Sequence, residues 1–217
     1  LLMALNCPEL DVRLMVTDAG NGTGRARLAA KFLEVCGRTD VPVGVGIPPG
    51  DGPHNQRDWM GDYQLSRYPG KVYEDGVEAI IRTINQSPEP VTVVAIGGVP
   101  NIAAALERDP SIVNNARFVG MHGSIRVGYG GSSTPVPEAN VRTNPQALAT
   151  VFDAPWECTV TPLDTCGLVQ LKGKKYQQVL RHPSDGVRAL LENYRVWIPR
   201  AEWVDPKTDP TNASTTL

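Results

Sequence analysis

The chain has 217 residues, a formal net charge of −2, a pI near 5.9 and 41% hydrophobic residues. This length is sufficient for one domain with a substantial core. Lysine and arginine are scattered, and no apolar run reaches the roughly 18 residues that a membrane span needs. The composition therefore argues against nucleic-acid binding and membrane insertion, and favours a small-molecule ligand.

Four cysteines without C-x-x-C spacing, and the lack of a visible signal peptide, favour free thiols and a cytoplasmic location. The ends are unusual for a complete domain. Residues 1–5 resemble the last turns of an apolar helix without an N-cap, and residues 212–217 stop without a terminal element. We therefore expect residues 1–217 to be part of a longer domain.

The first half of the chain has the pattern of a βαβ unit. We predict a strand at 11–17, a helix at 25–36 and a second strand at 41–45. Residues 47–69 are rich in Gly, Pro and Asp and lack a period, which predicts a long loop that could act as a lid.

The second half repeats the alternation. An apolar stripe at helical spacing over 77–84 precedes a continuous apolar run at 91–96, which predicts a strand buried on both faces. Further helices are predicted at 101–106, 111–114, 144–152 and 187–194, and further strands at 117–121 and 158–161. This order predicts an open, mostly parallel, Rossmann-like α/β sheet with its ligand crevice at the carboxyl ends of the strands.

Residues 18–24 (D-A-G-N-G-T-G) follow the first strand and open a helix, as a dinucleotide-binding loop would. Arg25 stands where that loop needs Gly or Ala, and Asp40 precedes its strand instead of ending it. One interpretation is a tight turn with Asn21 or Thr23 as the helix cap. The alternative is that Asn21 directs its amide into the crevice.

Glu138 and Asn140 are two residues apart, so in an extended segment both side chains would project to the same side. A carboxylate beside an amide suits vicinal hydroxyls, because the carboxylate accepts hydrogen bonds and the amide both donates and accepts. A capping role for Asn140 with a solvated Glu138 explains the spacing equally well.

Other polar and aromatic residues have two interpretations each. His122 ends a strand, and packing against a turn is favoured over general acid catalysis. Asp164 follows the last strand and could reach the crevice or cap a helix. Trp59, Tyr63 and Tyr68 could stack on a base or close the loop onto the core.

Taken together, these motifs resemble the inosine-uridine preferring nucleoside hydrolases over nearly the whole chain. The matching segments are A-G-N at 19–21, G-R-T-D-V-P-V at 37–43, A-I-G-G-V-P-N-I-A at 95–103, M-H-G at 121–123 and E-A-N-V-R-T-N-P at 138–145. Residues 153–156 and 161–168 look most like the fungal branch of that family.

The resemblance implies hydrolysis of the N-ribosidic bond of a nucleoside, with Ca²⁺ as cofactor. Carried over by position, Asn21, Glu138 and Asn140 would bind ribose hydroxyls, and Met121 would line the sugar pocket. Pro100 stands where the family has a residue whose backbone carbonyl ligates calcium. The implied ligand is a small-molecule nucleoside, and an assembly of identical copies is compatible with the resemblance.

The chain also departs from the family pattern. The family's D-x-D-x-x-x-D-D motif, which supplies metal ligands and the general base, is absent, so the resemblance assigns no catalytic residue to this chain. Ala139 replaces an aromatic residue. We expect an incomplete domain, lacking its first strand and C-terminal part, that is inactive alone. A non-catalytic nucleoside- or sugar-binding protein is the main alternative, and a nucleotide-dependent oxidoreductase is a third.

Overall fold

The computed structural model describes residues 1–18, 20–51, 54–169 and 171–200. The strands are β1 (Met15–Val16), β2 (Val43–Gly44), β3 (Val72–Tyr73), β4 (Val91–Ala95), β5 (Ala116–Gly120) and β6 (Cys158–Val160). The helices are α1 (Leu2–Leu5), α2 (Gly22–Val35), α3 (Arg57–Met60), α4 (Gly76–Asn85), α5 (Pro100–Arg108), α6 (Ala139–Thr143), α7 (Pro145–Asp153), α8 (Gly173–Leu180) and α9 (Asp185–Trp197). The sequence pattern did not predict β3, α3, α6 or α8.

The strands form two parallel sheets, in the orders β1-β2-β3 and β4-β5-β6. Helices separate most successive strands, as parallel pairing requires. The α/β class with parallel sheets and flanking helices is therefore confirmed. Within the described ranges, β1 and β4 are edge strands and no ladder joins them.

The prediction that the 91–96 strand is buried on both faces is wrong. Val94 and Ile96 are 64% and 74% exposed. The opposite face of β4 carries Val91, Val93 and Ala95, which pack into a core with residues of α4, α5 and α7. Helices thus cover one face of this sheet, and an apolar run alone does not distinguish one covered face from two.

The predicted long loop at 47–69 contains structure and contributes to the core. It includes α3 and a 3₁₀ turn at Leu65–Arg67. Tyr63 and Tyr68 are buried, and their hydroxyls donate to Glu34 Oε2 (2.5 Å) and to the carbonyl of Val41 (2.7 Å). Burial raises the pKa of Tyr68 to about 12. The two tyrosines therefore close the loop onto the core.

A junction of buried polar groups connects the two sheets at their carboxyl ends. Asn101, at the start of α5, donates to the carbonyl of Thr17 (2.9 Å) and accepts from the backbone N–H of Ile47 (2.8 Å). Thr17 Oγ1 accepts from the N–H of Gly46 (3.0 Å) and donates to the carbonyl of Gly22 (2.9 Å). The ends of β1 and β2 are thus fixed against the start of α5.

The polar stretch that follows Pro199 lies, from 201 onwards, outside the described residues, and the prediction for residues 212–217 falls there too. No helix in the described part of the chain has the length and hydropathy of a membrane span.

Candidate functional site

The predicted site residues follow the carboxyl ends of the strands. Asn21 comes after β1 and precedes α2, Pro100 is the first residue of α5 after β4, and Met121 directly follows β5. Glu138 and Asn140 lie at the start of α6, which the loop after β5 leads into. Each of these residues therefore lies beyond the carboxyl end of a strand, which is where open α/β folds bind their ligands.

Glu138 is the buried N-cap of α6, with 3% of its surface exposed. Its Oε1 accepts from the N–H of Asn140 (2.9 Å), and its Oε2 accepts from the N–H groups of Val141 (3.3 Å) and Gly123 (3.2 Å). The segment is a helix start and not the extended strand that the spacing suggested. The alternative in which Glu138 is solvated is also wrong, because the carboxylate is buried and serves as the acceptor that helix-terminal donors need.

Asn140 contacts Met121 directly. Its Nδ2 donates to the Met121 carbonyl (2.9 Å) and lies 3.3 Å from Met121 Sδ. Among the described residues no donor pairs with Asn140 Oδ1, and the side chain is half-buried. Three predicted residues, Met121, Glu138 and Asn140, therefore form one contacting group.

Asn21 occupies the N-cap position of α2 in the left-handed conformation, with φ 47°. Its side chain makes no capping hydrogen bond, so the capping interpretation is not supported for Asn21. The N–H groups of Gly22 and Gly24 donate to the carbonyls of Pro48 (3.2 Å) and Gly50 (2.9 Å). Since these donors are occupied, the loop is unsuited to a pyrophosphate, which counts against an oxidoreductase.

Asp18 is a candidate site residue that the sequence motifs did not single out, although it directly follows the first predicted strand. A Cβ on Gly97 would lie 1.6 Å from Asp18 Oδ2, so the carboxylate occupies space that only glycine leaves free. Asp18 also pairs with Arg25 at 3.2 Å. Through Asp18 and Gly97, the end of β1 lies against the turn after β4.

His122 connects that turn to the turn after β5. It is 2% exposed, and its Nε2 lies 2.9 Å from the Gly97 carbonyl. Because a carbonyl oxygen only accepts, Nε2 carries the proton. Nδ1 is buried and has no hydrogen-bond partner in the described part of the chain. Burial lowers the pKa of His122. This supports the packed interpretation over general acid catalysis.

Two histidines with buried ring nitrogens, His54 and His122, predict a pH-dependent stability. Burial also lowers the pKa of His54, so the unfolded state, with a histidine pKa of about 6.5, binds more protons in mildly acid solution. The free energy of unfolding should therefore fall as the pH drops through about 6.5 towards 5. Urea unfolding at pH 7.5, 6.5 and 5.5 measures this. The His122→Gln variant, which keeps a donor for Gly97, should show a smaller slope; an unchanged slope would contradict the assignment.

Asp164 does not join the Met121 group directly. Its carboxylate accepts from the N–H groups of Ile125 (2.9 Å) and Arg126 (2.8 Å). These bonds hold its pKa below the usual value. Asp164 thus holds the loop that follows β5 in place. This role matches neither of the two interpretations, reaching the crevice or capping a helix.

The residues present do not fit the calcium site that the resemblance implies. Pro100 is the first residue of α5, and its carbonyl is the single implied ligand. A calcium ion takes six to eight oxygen ligands. Within residues 1–18, 20–51, 54–169 and 171–200, no group of three or more His, Cys, Asp or Glu is placed to hold a metal ion.

Known proteins resemble this chain in sequence and in fold. A family model described as inosine-uridine preferring nucleoside hydrolase matches residues 1–208. The pyrimidine-specific ribonucleoside hydrolase RihA of Citrobacter koseri is 31% identical over 182 residues, covering 79% of this chain and 57% of that protein. The probable uridine nucleosidase 2 of Arabidopsis thaliana is 34% identical over 166 residues, covering 70% of this chain and 51% of that protein.

A solved plant nucleoside hydrolase, PpNRh1, superposes with a TM-score of 0.75 at 24% identity, covering 93% of this chain and 68% of that structure. The fold is therefore shared with this enzyme. The chain spans about half the length of the curated relatives it matches. On the family match over residues 1–208, the chain belongs to the inosine-uridine preferring nucleoside hydrolase family.

Proposed function

We propose that the protein containing this chain hydrolyses the N-ribosidic bond of nucleosides to ribose and free base, and that this chain supplies the surface that binds ribose. The main supporting observation is the contacting group of Met121, Glu138 and Asn140 at the carboxyl end of β5. The relatives named as a ribonucleoside hydrolase and a uridine nucleosidase support the reaction.

The free acceptor positions of this group match a ribose diol. Glu138 Oε1 accepts one backbone hydrogen bond, which leaves it one further lone pair. Asn140 Nδ2 is occupied by Met121, so its Oδ1 is the atom available to a hydroxyl. Asn21 is proposed to add an amide from the end of β1.

The rigidity of Glu138 supports a role beyond binding. Hydrolysis of an N-riboside passes through a transition state with positive charge on the sugar ring, and a preorganised carboxylate stabilises such charge. Three backbone N–H groups fix the orientation of Glu138 before any ligand binds. The proposed role of Glu138 is therefore electrostatic as well as positional.

The general base and the calcium ligands are proposed to lie outside the described residues. We also propose that residues 1–217 form part of a domain in which a further strand lies between β1 and β4. The unjoined edges of β1 and β4 and the exposed Val94 and Ile96 support this arrangement. A similarity to the fungal branch of the family stays a prediction.

A non-catalytic protein that binds nucleosides or sugars is the second candidate. The observation that favours it is that, in the described part of the chain, no acidic cluster is arranged for a metal. Such a protein would retain the ribose-binding group and lack turnover.

We also propose a location and an assembly for the protein. The four cysteines, Cys7, Cys36, Cys158 and Cys166, are free, which is typical of a reducing compartment, so the cytoplasm is proposed. Assembly into identical copies is proposed only as compatible with the family resemblance.

The assay that separates the two functions uses protein expressed from its full coding sequence. Release of hypoxanthine from inosine and of uracil from uridine is measured with calcium and with a chelator. Release that the chelator abolishes supports the hydrolase. Nucleoside binding by calorimetry without any release of base supports the binding protein.

A further inference from the structure

Tyr129 lies beside the proposed ribose-binding group and takes no part in the functions described so far. It belongs to a short 3₁₀ turn, Tyr129–Gly131, in the loop between β5 and α6. Its hydroxyl accepts a hydrogen bond from the N–H of Ala139 at 2.8 Å. Ala139 stands between Glu138 and Asn140 in the chain, so the phenol is fixed directly next to both.

The ring of Tyr129 is anchored but uncovered. The residue is 51% exposed, which is unusual for an aromatic side chain whose hydroxyl is already bonded. The rest of the turn consists of Gly130 and Gly131, both with positive φ, and these add no side chain over the ring. One face of the phenol is therefore accessible at the edge of the site.

The surroundings of the ring are apolar. Leu168, which is 54% exposed, lies against the turn: its Cδ2 would be 3.6 Å from a Cβ on Gly131. Ala139 is exposed and contributes a methyl group. A flat, uncharged, exposed ring with aliphatic neighbours offers few hydrogen bonds to a sugar and a large contact to another ring.

We propose that Tyr129 is a specificity-determining residue that stacks on the nucleobase of the bound nucleoside, with Leu168 extending the apolar surface. This rests on the proposed function, because it is the ribose held by Glu138 and Asn140 that brings the base next to Ala139. Stacking uses the π-face that every base possesses. Tyr129 therefore favours nucleosides over free ribose and accepts both purines and pyrimidines.

A purely structural role for Tyr129 makes a different prediction. If the hydroxyl serves only to cap the first N–H of α6, its loss would displace Glu138 and Asn140 and weaken the binding of ribose and nucleosides equally. Stacking affects only ligands that carry a base.

The test is calorimetric titration of the full chain and of two variants, Tyr129→Phe and Tyr129→Ala, with D-ribose, uridine and inosine. The Phe variant removes the bond to Ala139 and keeps the ring, whereas the Ala variant removes both. We expect Tyr129→Ala to weaken uridine and inosine binding by about tenfold or more, the effect of losing one stacked base, and to leave ribose binding unchanged. Tyr129→Phe should stay close to the parent for uridine and inosine.

Equal losses for ribose and nucleosides in Tyr129→Ala would overturn the stacking role in favour of a cap. An unchanged nucleoside affinity in Tyr129→Ala would also overturn the stacking role. In that case, ribose binding by the unmodified chain would still support the proposed function. If the parent chain binds neither ribose nor nucleosides, the proposed function and the stacking role both fail.

Discussion

Replacing Glu138 by Gln is expected to lower the free energy of unfolding by about 2–4 kcal/mol, since charge-assisted hydrogen bonds contribute about 1.5–3 kcal/mol and an unpaired buried donor costs about 1–3 kcal/mol. The carboxylate accepts from three backbone N–H groups, of Gly123, Asn140 and Val141. Glutamine carries an NH₂ donor in place of one of the two carboxylate oxygens, and this donor would face a backbone N–H group. Ribose affinity should fall by about tenfold or more as the group loosens, equivalent to 1.4 kcal/mol.

Urea unfolding and calorimetric titration with ribose measure both effects. The matched control is Glu107→Gln on α5, because Glu107 is exposed. Its effect on stability should stay within about 0.5 kcal/mol. Equal stabilities of the two variants would contradict the assignment of Glu138 as a buried acceptor of three backbone N–H groups.

Replacing Gly46 by Ala is expected to destabilise the fold by at least about 3 kcal/mol, the upper part of the range for overpacked positions. A Cβ at Gly46 would lie 1.7 Å from the carbonyl oxygen and 2.7 Å from the carbonyl carbon of Thr17. These are backbone atoms, and Asn101 already fixes the same carbonyl from another side at 2.9 Å. The junction between the ends of β1 and β2 and the start of α5 would have to open.

Gly50→Ala is the control in the same loop. The nearest atoms to its Cβ belong to Asn21, at 3.7 Å and beyond, which is ordinary van der Waals contact. Thermal unfolding of both variants should show a large decrease in Tm for Gly46→Ala and little change for Gly50→Ala. A small decrease for Gly46→Ala would mean that the junction is not packed as described.

The α/β class could be predicted from local patterns, and so could the strand ends at which the candidate site residues lie. Strand ends are visible in the sequence as apolar runs that stop at glycine-rich turns, and in a parallel sheet these ends meet at one edge. This reasoning identified the turns that carry Asn21 and Met121, whereas Glu138 came from its spacing to Asn140 and from the family resemblance. Applied to the first residue after each strand, it would also have found Asp18.

The details of the site depend on contacts that local patterns do not contain. Spacing suggested that Glu138 and Asn140 lie in an extended segment, whereas Glu138 caps α6 and its buried contacts include Gly123, 15 residues away. The contact between Asn101 and Thr17 spans 84 residues. The length of an apolar run likewise could not show that helices cover one face of β4 and leave Val94 exposed.

We propose that this chain binds the ribose of a nucleoside and that the groups that cleave the N-ribosidic bond lie outside the described residues. The most direct measurement is titration of the purified chain, confirmed by intact mass at 23.4 kDa, with uridine in calcium-containing buffer while uracil release is followed on the same sample. We expect saturable binding and no uracil. Uracil released by a sample of that mass would contradict the proposal, as would the absence of any binding.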